Sequence, residues 1–356
     1  MNGNAEKTVR KYHYGLDLLR IISMFMIVVT HVLGKGGIRS SVSGESDPYF
    51  ITTWIIQVLV YGAVNCYALI SGYVGVHTSY KYSKLANIWL QVFFYSFGIT
   101  FFIYLLGFPV GLKDWQHAFL PIVSGNYWYI TAYFGLLIFI PVINAGLRGL
   151  SDRQLGHLVL LMTIVFSVLP AVMNNSVAEF SLSKGFEMTW LMILYILGAY
   201  LERLDLEVFR RSYLLMLFFF CMFVTYVMKF LVGNIWYWYV SPSLSLGAVS
   251  LFIIFAKMPL SEKSRLYPFI VMVSPATLGI YLAHLHPLLV KFFIRDFAES
   301  FVEVPIVIYP FLILAVSVMI YCLAFLIEKG RQHIFQWLKV ACLLNWIDEK
   351  VPFEDN

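Results

Sequence analysis

Three ionisable residues in one apolar stretch carry the strongest chemical signal. Gly15 to Gly34 reads GLDLLRIISMFMIVVTHVLG and holds Asp17, Arg20 and His31. Arg20 and His31 are eleven residues apart. That is about three helical turns, so a helix presents both on nearly one face, roughly 16 Å apart along its axis. Asp17 lies one turn before Arg20 and can pair with it on that face. Ionisable side chains inside a membrane helix are costly and point to function by default. A neutral imidazole at depth can take a proton from a hydroxyl, or can itself be acylated. The competing reading makes Arg20 a membrane anchor and His31 an interhelical hydrogen-bond donor.

Two further sets could serve the same chemistry. Lys81 and Lys84 open an apolar run, are three residues apart and share a helix face. Free backbone N–H groups and the dipole at a helix N-terminus favour an anion there, with phosphate the obvious cytosolic one. Plain positive-inside anchoring is the alternative. Further on, Tyr281 and His284 share a face, whereas His286 points about 200° from His284. A two-histidine metal site is therefore not expected, and no metal is assigned. Counted from their helix starts, His31 and His284 reach similar depth and are expected to line one chamber. Asn65 can line a cavity or bond a neighbouring helix. Tyr127 and Trp128 belong to an aromatic cluster that reads as an interfacial belt or as a sugar-stacking platform.

These residues need a membrane scaffold. The chain is 60% hydrophobic and 13% charged over 356 residues, which no soluble domain resembles. Apolar runs fall at about 17–34, 52–71, 85–107, 127–144, 157–173, 187–201, 212–232, 238–256, 268–294 and 306–327. The expectation is an all-α polytopic membrane protein of about ten transmembrane helices, the long ninth either tilted or broken around Pro287. Most lysines and arginines then fall on the N-terminal side, which puts both termini in the cytoplasm. The apolar N-terminal run is long and lacks an A-x-A site, so it is expected to stay attached. Residues 1–356 are expected to form a single membrane domain with a tail from 328. In that tail Ile334, Trp337, Leu338, Ala341, Leu344 and Ile347 form one stripe, predicting an amphipathic helix on the inner leaflet. Four cysteines without CxxC spacing suggest neither a disulfide framework nor zinc. No basic face with interleaved aromatics suggests nucleic acid.

In this order the motifs resemble the membrane-bound acyltransferase-3 family. The resemblance rests on Gly15-Leu16-Asp17-Leu18-Leu19, on Arg20 with His31, on Asn65 through Ser71-Gly72-Tyr73, and on the basic pair. It continues in Tyr127-Trp128-Tyr129-Ile130-Thr131-Ala132-Tyr133 and Gly279-Ile280-Tyr281-Leu282-x-His284. It implies an acyl-CoA-dependent O-acyltransferase of the cell membrane. Such an enzyme takes acetyl from cytosolic acetyl-CoA, as co-substrate, to a hydroxyl of an envelope or exported saccharide, free or lipid-linked. His31 would be base or acyl carrier, Arg20 would bind a phosphate or position the donor arm, and Asp17 would orient or neutralise Arg20. Lys81, Lys84 and Arg20 would hold the donor. Tyr281, His284, Asn65, Tyr73, Tyr127 and Trp128 would line the acceptor side. The family's basic pair is often arginine, and lysine here lacks the bidentate fork. Nothing resembling an appended hydrolase domain follows the tenth run, so direct transfer or a separate partner protein is expected. Homo-oligomerisation is left open. The membrane part of some serine racemases is also similar, so the alternative is a transporter-like module handling an amino acid.

Overall fold

The computed structural model describes residues 12–174 and 178–353. Among them every regular element is helical. This follows from the solvent: in lipid a backbone must satisfy its own N–H and C=O groups, which a helix does locally. Each of the ten apolar runs folds as helix. In order these are α1 (Tyr14–Gly34), α2 (Pro48–Gly75), α3 (Tyr82–Leu105), α4 (Trp128–Arg148) and α5 (Asp152–Met173). Then come α6 (Met188–Arg203), α7 (Arg211–Leu231), α8 (Pro242–Ala256), α9 (Tyr267–His284) and α10 (Tyr309–Trp337).

Nine of these stretches, α8 counted with the 3-10 turn Asn234–Tyr237 before it, are long and apolar enough to cross a membrane. The expected count of ten turns on α6. At 16 residues it is about 24 Å long, short of a typical hydrocarbon core of about 30 Å. It is surrounded by protein, packing on α2, α4 and α5 and burying Trp190, Leu191, Leu194 and Tyr195. Its approach to α2 is close: a Cβ at Gly72 would overlap the carbonyl oxygen of Tyr195. That accounts for the glycine of the Ser71-Gly72-Tyr73 motif.

α1 is the axis of the bundle. It touches α2, α8, α9 and α10, and buries 13 of its 21 residues. The ninth run breaks, slightly earlier than Pro287. α9 ends at His284, and the chain restarts at Pro287. His286 holds the break. Its Nδ1 accepts the Leu288 N–H at 3.2 Å, and its Nε2 donates to the Ser96 carbonyl at 3.1 Å on α3.

The C-terminal expectation needs correction. α10 does not stop near 327 but continues to Trp337, so residue 328 is no tail boundary in the structure. Glu328 is fully buried and Arg331 nearly so, and the two neutralise each other, with Arg331 Nη2 to Glu328 Oε1 at 2.6 Å. Charges read as the end of a membrane helix are thus an internal pair. The apolar stripe is also not one helix: Lys339 takes a left-handed φ of 53° and separates α10 from α11 (Val340–Lys350). α11 packs on the start of α3. The basic Lys7, Arg10 and Lys11, and both chain ends, lie outside the described residues.

Candidate active site

The helical phase of α1 turns Asp17 and Arg20 to one side of the bundle. Asp17 Oδ1 accepts from Arg20 Nη1 and from Ser274 Oγ, the latter at 3.0 Å on the 3-10 turn Ser274–Ala276 within α9. The Arg20 side chain keeps 29% of its surface exposed and Asp17 only 6%. The carboxylate is therefore committed to protein, and the guanidinium keeps donors free for something else.

What it faces is space. A cavity of about 420 Å³ is bounded by Arg20 and Asp17 together with Tyr67, Ser71, Tyr129, Tyr133, Thr277 and Tyr281. Two more, of about 260 and 210 Å³, also have Arg20 in their walls. The 260 Å³ cavity reaches Thr78, Ser79, Tyr80 and Lys84 at the start of α3. The 420 Å³ cavity leads the other way. It shares Ile27, Tyr129 and Tyr281 with a chamber of only about 20 Å³, whose walls include His31, Thr30, Tyr61, Trp128 and Tyr239. A chain of spaces thus runs along one face of α1 from Lys84, past Arg20, to His31.

At the far end His31 Nδ1 lies 2.9 Å from His284 Nε2. His284 is buried, and its Nδ1 is 2.6 Å from the Ile280 carbonyl. A carbonyl oxygen only accepts, so His284 Nδ1 carries a proton. In the neutral pair His284 Nε2 then accepts, His31 Nδ1 donates, and His31 Nε2 is left with its lone pair. This is the arrangement of an oriented base: one nitrogen anchored by a partner, the other free. Tyr281 adds a buried hydroxyl that makes no hydrogen bond of normal geometry among the described residues. Burial without a partner is costly, which suits a donor waiting for a ligand.

The other expected residues divide. Lys84 faces the 260 Å³ cavity and donates to the Ser79 carbonyl at 3.2 Å. Lys81 does not share its face. It is the N-cap of α3, extended at φ −142° and ψ 130°, so helical spacing does not apply to it. It pairs instead with Asp348 of α11 at 3.4 Å. The Ser83 hydroxyl and Lys81 hold the Asp348 carboxyl below its ordinary value. Asn65 is fully buried and fully engaged: its Nδ2 donates to the Tyr239 carbonyl at 2.9 Å, and its Oδ1 accepts from Trp190 Nε1 at 3.2 Å. It therefore ties helices together and bounds none of these cavities. Tyr73 packs between His13 and Phe252. Tyr127 caps α4, and its hydroxyl donates to the Leu282 carbonyl at 3.3 Å, supporting α9 from behind. Trp128 reaches the His31 chamber.

Residues beyond the expected set replace those four. Tyr129 and Tyr133 line the large cavity, stacked at 5.8 Å, and Tyr67 and Ser71 face them. Both pairs have i, i+4 spacing, a signal present in the sequence. Glu328 is less legible. Besides Arg331 it accepts from the Tyr95 hydroxyl at 2.6 Å and from Gln332 at 2.8 Å. It presses on α9 where a Cβ at Gly279 would overlap its carboxylate. The helix carrying Tyr281 and His284 is thus seated on a buried ion pair. Among the described residues no cluster of histidine, cysteine and carboxylate side chains could hold a metal.

A family model described as an acyltransferase domain matches residues 13–329, from the residue before α1 to the residue after Glu328. No curated protein and no solved structure matches the chain.

Proposed function

The chain belongs to the membrane acyltransferase-3 family, and from that premise we propose that it moves an acetyl group from cytosolic acetyl-CoA to a saccharide hydroxyl on the outer side of the cell membrane. The observation that carries this reading is the His31–His284–Ile280 relay at the closed end of a chain of cavities whose other end is basic. In this proposal Arg20 and Lys84 bind the phosphates and upper arm of CoA. The pantetheine arm extends through the 420 Å³ cavity along Tyr129 and Tyr133, which brings the thioester to Tyr281 and His31.

His31 Nε2 takes the proton of the acceptor hydroxyl as its oxygen attacks the thioester carbonyl carbon. The Tyr281 hydroxyl donates to the resulting oxyanion. Collapse breaks the C–S bond, and the CoA thiolate takes the proton from His31, so that an ester and free CoA leave. His284 accepts from His31 Nδ1–H throughout and holds the imidazole in its productive orientation. The small volume of the His31 chamber limits water, which would otherwise hydrolyse the thioester.

The test uses purified protein in vesicles with radiolabelled acetyl-CoA and an envelope saccharide extract as acceptor. Release of free CoA with transfer of label to saccharide, both abolished in His31→Ala, is the expected result. Uptake of an amino acid without consumption of acetyl-CoA would overturn the proposal in favour of transport.

A further inference from the structure

The end of the bundle that holds His31 carries two cations on one indole ring. Arg39 lies in the short helix Ile38–Ser41 that follows α1, and Lys229 lies in the last turn of α7. Lys229 Nζ sits 3.7 Å from the centroid of Trp54, and Arg39 Cζ sits 5.8 Å from the same centroid. Trp54 is fixed by Phe50, Phe230 and Tyr237 around it. Neither cation has a carboxylate within ion-pair distance among the described residues. Glu45 acts on Lys229 only from beyond that distance. A cation in the last turn of a helix is ordinary. Two unpaired cations sharing one ring repel each other, and that arrangement asks for an anion.

This pair connects to the proposed chemistry through a continuous stack. Arg39 Nη1 donates to the Tyr237 hydroxyl at 3.3 Å. Tyr237 stacks on Tyr61 at 4.1 Å, and Tyr61 stacks on Tyr239 at 4.5 Å. Tyr61 and Tyr239 are walls of the His31 chamber. Arg39 also returns to α1, its guanidinium packing beside Gly34, one turn beyond His31.

We propose that Arg39, Lys229 and Trp54 form an anion subsite at the mouth of the His31 chamber, and that the acceptor is an anionic saccharide. Its phosphate or carboxylate sits between the two cations, and its sugar ring lies along the Tyr237–Tyr61–Tyr239 stack with a hydroxyl directed to His31. This rests on the acyltransferase reading above. Arg39 supplies the planar fork that both oxyanions accept, and Lys229 adds a point charge held over the indole. A neutral sugar would leave both cations unanswered.

The experiment measures binding apart from catalysis. Calorimetry on purified protein in detergent uses three probes: lactose, sialyllactose for the carboxylate, and a lactose phosphate for the phosphate. The expected result is that at least one anionic probe binds about tenfold or more tighter than lactose. The preferred probe names the source of the charge. Arg39→Ala combined with Lys229→Ala should erase the preference, Arg39→Lys with Lys229→Arg should keep most of it, and His31→Ala should leave it intact. Equal binding of all three probes, absence of binding by any, or an undiminished preference in the double alanine variant would overturn the proposal. If the anionic preference is present and the wild-type protein still consumes no acetyl-CoA, the subsite stands and the acyltransferase reading falls.

Discussion

The two ends of α1 solve opposite problems. Around Arg20 the bundle is open: three cavities share one guanidinium, and their walls mix hydroxyls, tyrosines and a lysine. Around His31 it is closed to about 20 Å³ and walled largely by aromatic rings. A single helix can serve both because only eleven residues separate them, and its other faces are clamped by α2, α8, α9 and α10. The contrast teaches where binding and chemistry divide. On the proposed function, a large, charged ligand is gripped where water and cations are available, and a proton moves where water is scarce and His31 Nδ1 is anchored on His284.

The sharpest break of this contrast is His31→Ala. Removing the base should lower kcat/KM for acetyl transfer by roughly 10³-fold, in the usual range for a lost general base, with little change in acetyl-CoA binding. A loss confined to KM would place His31 in binding and dissolve the division. At the other end Arg20→Ala should do the reverse. We expect KM for acetyl-CoA to rise by about 10- to 100-fold, and Arg20→Lys to recover part of it. Because Asp17 would be left buried and unpaired, thermal stability should also fall in the alanine variant and hold in the lysine one. Measuring acetyl-CoA affinity and melting temperature together separates the two effects.

A smaller effect is expected for Tyr281→Phe, which removes only a hydroxyl that makes no hydrogen bond of normal geometry among the described residues. Loss of about tenfold in kcat with unchanged KM would support an oxyanion donor. A gain in stability with no kinetic change would make it a mere packing tyrosine. Smallest of all is the tail contact. Asp348→Asn should change acetyl transfer by less than about twofold at neutral pH, since Lys81 faces α11 and not the cavity. The Asp348 carboxyl is held below its ordinary 3.8 by Ser83 and Lys81. Its contribution to docking α11 is therefore complete above that value and is lost as pH falls below it through the lowered one. Amide protection in α11, taken relative to the intrinsic exchange rate at each pH between 5 and 2, should fall only at the acid end. Earlier release would mean that Asp348 does not hold the tail.

The contrast also shows what was readable in the chain. Asp17, Arg20 and His31 could be placed because they lie on one regular helix, where spacing fixes direction. The same rule failed for Lys81 and Lys84, because one of the two lies before the helix begins. The resemblance pointed to Tyr127 for the acceptor side, and there the phase of the helix decides otherwise. Tyr127 caps α4 while Tyr129 and Tyr133 line the space, a difference of phase that needs the helix start to within one residue. Asn65 was ambiguous for a different reason: its hydrogen-bond partners, Tyr239, Ser245 and Trp190, are more than a hundred residues away.

The sequence by itself determined the membrane character, the ten apolar runs and the acidic–basic–histidine face of α1, each of which depends on composition or on periodicity within a single segment. The family was legible in the order of motifs along the whole chain. Only the tertiary structure decided that His31 and His284 meet at 2.9 Å, and with which nitrogens. It alone decided that Glu328 and Arg331 are a buried pair seating α9, and that Lys81 is spent on α11. Those outcomes depend on how helices far apart in the chain rotate and lean against one another. That rotation is set by close contacts such as Gly72 on Tyr195 and Gly279 on Glu328, which no local pattern records.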